Sequence, residues 1–195
     1  MRHLALLLAL APACSNDTSL SSDDQARRAY EGLDKSIGKA ITLGFAGFNS
    51  ASSANIAPQM TTGDASGTLV VTGQVDQGSS ANKGMRLFVA MTDYSDGKFV
   101  DTNNDQVTLT YATDAAALPA LGMMLKGIPT GTIAGTLTGT YHVTGDLAAD
   151  ATLNLTFTGT LQAGPNNTVE RKPGSVVVTG TATSGDGTYN VMVTL

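Results

Sequence analysis

The alternation between Thr132 and Leu161 constrains this chain more than any other feature in it. Ile133, Gly135, Leu137, Gly139, Tyr141, Val143, Gly145 and Leu147 take every second position, with Thr132, Ala134, Thr136, Thr138, Thr140, His142 and Thr144 between them. After a break at Ala148, Ala149 and Asp150 the pattern resumes as Leu153, Leu155, Phe157, Gly159 and Leu161 against Thr152, Asn154, Thr156, Thr158 and Thr160. Successive side chains of a strand point to opposite faces, so each run has one apolar and one wet face. Two such runs across a short break predict an antiparallel hairpin.

The same period recurs at Leu69, Val71, Gly73, Val75 and at Met85, Leu87, Val89, Met91, with Arg86 and Phe88 on the wet side of the second run. Val107, Leu109 and Tyr111 mark a further strand. Val176, Val178, Gly180, Ala182 and Tyr189, Val191, Val193, Leu195 form a last pair through the turn Ser184-Gly185-Asp186-Gly187. Residues 49–66, rich in Ser, Ala, Asn and Thr, read as a long connection. Residues 114–129 are apolar but interrupted by Pro119 and Gly122, and fit an irregular strand, a helical turn or a flap over the core. The sum is seven or eight antiparallel strands. Glycines recur on the inward face, at Gly73, Gly135, Gly139, Gly145, Gly159 and Gly180, which predicts sharp coiling or close backbone approach.

One segment has a different period. Ala26, Tyr30, Leu33, Ile37, Ile41, Gly44 and Phe48 recur at helical steps, and Ser22 with Gln25 makes a capping box. Asp23 with Arg27, Asp24 with Arg28 and Glu31 with Lys35 are spaced for i,i+4 ion pairs. Gly38, Gly44 and Gly47 each weaken the second half by up to about 1 kcal/mol relative to Ala, so the helix should fray past Ile41 unless it packs closely on something. An open sheet needs a cover. The expected fold is mainly β (α+β): one N-terminal amphipathic helix packed on a strongly curved antiparallel sheet or partial barrel, as a single domain over residues 23–195. At 195 residues and 14% charged residues, one core is affordable and two are not.

The chain begins with Met1-Arg2-His3, an apolar run from Leu4 to Ala11, and Pro12-Ala13-Cys14, the layout of a secretory signal at residues 1–13. The ending Ala11-Pro12-Ala13-Cys14 resembles the lipobox of bacterial lipoproteins, with Ala11 where Leu is usual. That resemblance implies a diacylated Cys14 as the new first residue, followed by a tether through Ser22. Ser15 after the cysteine implies, by the same resemblance, the outer membrane. Cys14 is the chain's one cysteine, so no internal disulfide competes for it. Cleavage without lipidation, giving a secreted soluble protein, is the alternative. Removal of Arg2 takes the net charge from −5 to −6, ten basic against sixteen acidic side chains. Such a surface excludes nucleic acid as partner, and membrane attachment must run through the lipid.

Chemistry is sparse. The mature chain has one histidine, His142, among wet-face threonines, which speaks against a nucleophilic triad. Zinc lacks a ligand cluster. Asp101-x-Asn103-x-Asp105 is spaced like the start of a calcium loop, but Gln106 stands where that loop needs Gly, and the same residues are common in tight turns. The expectation is therefore a non-enzymatic binding or scaffold protein of the bacterial envelope, without a cofactor and with its protein or hydrophobic small-molecule partner undefined. Its main alternative is a carrier holding a hydrophobic ligand in the concavity of the sheet, against Leu137, Tyr141, Leu155 and Phe157, with Met123 and Met124 as gating side chains. Weaker alternatives are a calcium-dependent adhesive module and a small outer-membrane β-barrel with apolar side chains outward.

Overall fold

The computed structural model describes residues 18–77 and 79–195. The expected signal segment and Cys14 lie outside the described residues. Two helices, α1 (Asp23–Glu31) and α2 (Asp34–Ser50), precede eleven strands: β1 (Asn55–Thr62), β2 (Ser66–Val75), β3 (Lys83–Ser95), β4 (Lys98–Val100), β5 (Gln106–Ala112), β6 (Ala120–Lys126), β7 (Thr132–Gly145), β8 (Ala149–Ala163), β9 (Val169–Arg171), β10 (Val177–Ser184) and β11 (Gly187–Thr194). All strand pairs are antiparallel, and the sheet curls into an incomplete ring that runs from β1 to β11.

The predicted hairpin is the longest pairing in the ring, β7 on β8 from Thr132↔Thr160 to Val143↔Ala149. Seven of the eleven strands were expected outright, β6 was one of the three readings of its segment, and each of the remaining four lacked a clear signal for a physical reason. β1 lies in the stretch read as a connection: it is an edge strand, exposed along much of its length, so nothing selected an apolar alternation there. β6 is the interrupted segment after Pro119, and it shares one lane with β5. Both sit between β3 and β7, β6 at one end (Leu121↔Leu137) and β5 at the other (Tyr111↔Val143). β4 and β9 are three-residue ribs, too short to show a period.

Inward glycines act where a side chain would collide. A Cβ on Gly135 would lie 2.4 Å from the Phe157 ring across the hairpin, so the aromatic side chain packs on bare backbone. At Gly180 the backbone takes φ +148° inside β10, a conformation that bends the ribbon and that L side chains rarely adopt.

The helical segment is one amphipathic unit with a turn at Gly32 and Leu33, and it lies inside the curve. α1 packs on β11, while α2 packs on β1, β2, β3 and β9, so the helices span the side on which the ring stays open. Tyr30, Leu33, Ile37 and Ile41 join Leu87, Leu109, Tyr141, Leu155 and Phe157 in one buried cluster. α2 does not fray at Ile41 but continues to Ser50, because Gly44 and Gly47 let it approach β3 and β1 closely. A Cβ there would sit 2.9 Å from Met85 Sδ and 2.8 Å from Ile56 Cβ, respectively.

The cap forms with one change. Ser22 Oγ accepts from the Gln25 N–H at 3.2 Å, and Gln25 Oε1 accepts from Ser21 rather than Ser22. The three i,i+4 ion pairs give way to other partners. Arg27 binds Asp24, Arg28 binds Asp101 and Asp105, Lys35 binds Asp64, and Asp23 accepts from the Asn190 backbone N–H on the β11 edge at 2.7 Å. At the junction Arg171 of β9 clamps Asp34 through both carboxylate oxygens, at 2.6 and 2.9 Å, and through its carbonyl. Burial opposes the Arg171 charge, but the Asp34 carboxylate outweighs it and holds the guanidinium above its ordinary range.

Polarity runs apolar inside and threonine outside. Thr152, Asn154, Thr156 and Thr158 of β8 are exposed while Leu153, Leu155 and Phe157 are buried. A lipid-facing barrel needs apolar side chains outward, the reverse of this arrangement. Within the stretch expected as a tether, Thr18 and Leu20 are held to the ring: the Thr18 carbonyl accepts from Asp150 N–H, Leu20 N–H donates to Ser184 Oγ at 3.0 Å, and Leu20 is buried. The chain therefore enters at the end of the ring that holds the β7–β8 and β10–β11 turns. The β6–β7 turn, β9 and the C-terminus of α2 lie at the other end.

Candidate functional site

At that second end a groove of about 490 Å³ opens between α2, the start of β3, the β6–β7 turn and the segment leading into β9. Phe45 and Phe48 come from the C-terminal half of α2, Ile128 from the turn, and Val169 from β9; all four are partly buried against the core. Each loop is fixed locally. Ile128 N–H donates to Ala81 O at 2.9 Å and Gly127 N–H to Asn82 Oδ1 at 3.0 Å. Asn166 and Asn167 take φ +55° and +58°, which asparagine tolerates, and Thr168 Oγ1 donates back to Pro165 O at 2.8 Å.

One cation stands in this apolar wall. Lys83 is 4% exposed, and its ammonium lies 4.5 Å from the centroid of the Phe48 ring, a cation–π contact. Position 83 has the inward parity of Met85, Leu87 and Val89, so the alternation carries a lysine to the inner side of the ring's mouth. That was the legible signal, a charged residue in phase with an apolar face. Sequence reasoning used Phe48 only as part of the helix stripe and did not single out Phe45, Lys83, Ile128 or Val169.

A second concavity, about 410 Å³, lies between the α1–α2 junction, β4 and the C-terminus, with Glu31, Asp34, Phe99, Thr102 and Leu195 in its lining. It borders the loop that resembled a calcium site. Asp101 Oδ1 accepts from the N–H groups of Asn103 and Asp105 at 3.0 and 2.8 Å, and Oδ2 accepts from Arg28 Nε at 2.8 Å. Asp105 pairs with Arg28 at 3.0 Å, Asn103 Oδ1 accepts from Arg27 at 2.9 Å, and Thr102 donates to Glu31. Burial alone would raise the Asp101 carboxyl; the backbone donors and Arg28 outweigh it and hold the group below the usual carboxylate range. The oxygens a cation would need are turned to arginines and backbone. The motif is a turn that docks on α1, and among the described residues no cluster of three or more His, Cys, Asp or Glu has metal-holding geometry.

The expected ligand-pocket residues do not line either groove. Leu137, Tyr141, Leu155, Phe157 and Met123 are buried in the common core, where the helix occupies the space a ligand would take. Met124 is 43% exposed on the outer face, because adjacent residues of a strand point in opposite directions. His142 is also on the outer face, with Nδ1 2.6 Å from Asp150 Oδ1. Phe88, the wet-face anomaly, is exposed on β3 beside Ala120 of β6. Comparison with protein families, with curated proteins and with solved structures finds no match to this chain.

Proposed function

We propose that this chain is an exported, lipid-anchored, non-enzymatic binding or scaffold protein of the bacterial envelope, attached through a diacylated Cys14. The observation that carries the reading is the filled interior: α1 and α2 occupy the concavity, leaving the threonine-coated outside and the ends of the ring as the surfaces a partner meets. The groups capable of chemistry support it, since Asp101, Asp105 and Asp34 are engaged in holding helix to sheet and His142 pairs with Asp150 on the surface. No helix among the described residues is long and apolar enough to cross a membrane, so in this reading the lipid is the attachment.

Orientation follows from the same reading. Cys14 precedes Thr18, which is fixed to β8, by four residues. Four residues reach about 14 Å at most, which keeps the β7–β8 end close to the bilayer. β7 is 14 residues long, about 45 Å at strand rise, so the groove at its other end points away from the membrane.

Intact mass of the protein extracted from membranes tests the anchor. The expected species begins at Cys14 and carries a diacylglycerol adduct, and Cys14→Ser releases the protein from the membrane fraction. An unmodified chain beginning at Cys14, or unchanged membrane association of the serine variant, overturns the reading.

A further inference from the structure

The open ring leaves two strand edges, β1 and β11, and they are treated differently. β1 carries Pro58, its register against β2 shifts between Ile56 and Gln59, and Lys39 Nζ donates to the Thr62 carbonyl at 3.0 Å. A proline, a bulge and a lysine are the usual means of stopping a further strand from pairing. β11 has no proline, no charged residue and no shift in its register against β10. Val176 and Leu195 exchange N–H···O bonds at 3.0 and 2.8 Å, and an antiparallel ladder bonds at every second residue. Val193 and Val191 therefore bond to β10, while Asn190, Met192 and Thr194 turn their N–H and C=O groups to the free edge. Asp23 Oδ1 takes the Asn190 N–H, which confirms that parity. Among the described residues no strand lies beyond Met192 and Thr194, and both are exposed, Met192 at 69%. Beside them lies the second concavity, with Phe99, Val100 and Leu195 as its apolar lining.

We propose that the unguarded part of this edge, Met192 to Thr194, binds an extended, neutral or basic segment of another protein as an added antiparallel strand. The inference rests on the reading of the chain as an anchored binding or scaffold protein and names the class of partner it takes. Directly opposed residues of antiparallel strands point to the same face. Side chains opposite Met192 and Thr194 stay outside, and the one opposite Val193 turns inward toward the apolar lining. Charge selects among such segments. Asp23 and Asp24 lie on the first turn of α1 beside the edge, the concavity is lined by Glu31, Asp34 and Asp101 against Lys35, and the chain carries a net −5, so an acidic segment is repelled. A second copy fits less well. The two-fold axis of an antiparallel β11–β11 pair reverses one ring against the other, which holds one of two anchored copies with its Cys14 end away from the bilayer.

The test uses the full-length chain carrying Cys14→Ser, isotope-labelled for NMR, and an end-blocked synthetic peptide of three Thr-Val repeats followed by two lysines, which antiparallel pairing passes beside α1. Saturable shifts of the Met192 and Thr194 amide resonances are expected, with the Met60 amide on β1 unmoved. N-methylation of the peptide's threonines, which stand opposite Met192 and Thr194, removes the donors facing β11 and is expected to weaken binding about tenfold or more. N-methylation of the valines, whose N–H groups face away, is expected to change it by no more than about threefold. Glutamates in place of the lysines are expected to weaken it about fivefold. Met192→Lys gives β11 the edge lysine it lacks, at an exposed position that leaves the fold intact, and is expected to weaken the lysine peptide about fivefold. Absence of saturable shifts at Met192 and Thr194, equal binding of the two N-methylated peptides, or equal shifts at Met60 overturns the proposal. So does a concentration-dependent dimer of the chain alone that moves the same amides, which seats a second copy there. The outcome is separable from that of the anchor: a diacylated Cys14 without peptide binding removes the added strand and keeps the anchored scaffold, whereas peptide binding by a protein with unmodified Cys14 does the opposite.

Discussion

α1 and α2 are consecutive and lie on the same curved sheet, yet they are held to it by different forces. α1 buries Ala26, Ala29 and Tyr30 and then fastens its rim with charge, Arg28 onto Asp101 and Asp105 and Asp23 onto the β11 edge. The second half of α2, from Ala40 to Ser50, has no charged residue, and close approach through Gly44 and Gly47 does the holding. Ion pairs across elements need only two long side chains to reach each other, whereas backbone-close packing needs specific small residues opposite specific large ones. The first arrangement tolerates change; the second does not.

A charge placed in the buried stripe of α2 gives the largest expected effect. Ile37 is buried at the start of α2, and Ile37→Asp loses the aliphatic contacts and buries an unpaired carboxylate, costing about 4 kcal/mol or more. For a chain of this length the thermal midpoint, followed by circular dichroism, should fall by about 10 °C or more, or the protein should fail to fold. A loss under about 1 kcal/mol would mean that the helix is not core and would break the comparison at its root.

Two glycines of α2 sharpen it. Gly47→Ala introduces a Cβ 2.8 Å from Ile56 Cβ, and a β-carbon cannot swing aside, so the overlap should exceed the helix-propensity gain and leave a net loss of about 1–3 kcal/mol. Nothing lies within 4 Å of a Cβ at Gly38, so Gly38→Ala should stabilise by about 0.5–1 kcal/mol. Opposite signs from one substitution in one helix are the expected result of chemical denaturation. Equal signs would show that close approach is not what holds α2.

The same contrast explains what was legible in the sequence. Apolar periodicity located the helix, its buried stripe, seven strands and the inward face, because burial repeats with the geometry of each element. Tertiary charge pairing does not repeat. Arg28 and Lys35 are correctly spaced for Asp24 and Glu31, but Asp101 and Asp64, distant in sequence, are the partners the fold provides. β1 and β6 were hidden for a related reason, since an exposed edge and a strand that shares its lane with another carry no long alternation. The groove was the least legible part, because Phe45, Lys83, Ile128 and Val169 are brought together by ring closure and not by any spacing; only Lys83, in phase with Met85 and Leu87, left a trace. The filled concavity was expected from the need of an open sheet for a cover and not from the alternation, which shows which side chains face inward and not whether another element already occupies the space.

The smallest effect belongs to a charge contact on the exposed side of α2. Hydrogen bonds from Lys35 and Lys39 hold the Asp64 carboxyl down at about 2, against an ordinary value near 4. A carboxyl depressed on folding contributes stability that is present above its unfolded pKa and is lost as pH falls through the folded one. The Asp64 contribution is therefore complete above about pH 4 and disappears as the pH approaches 2. Water reaches nearly half of the Asp64 side chain, so screening limits the value to that of a surface pair, about 0.2–1 kcal/mol. Asp64→Asn should then lower the thermal midpoint by no more than about 3 °C at pH 7, with the difference shrinking in 1 M salt and vanishing near pH 2. A larger, salt-independent loss would place Asp64 among the close-packed contacts of α2 and erase the distinction between the two modes of attachment.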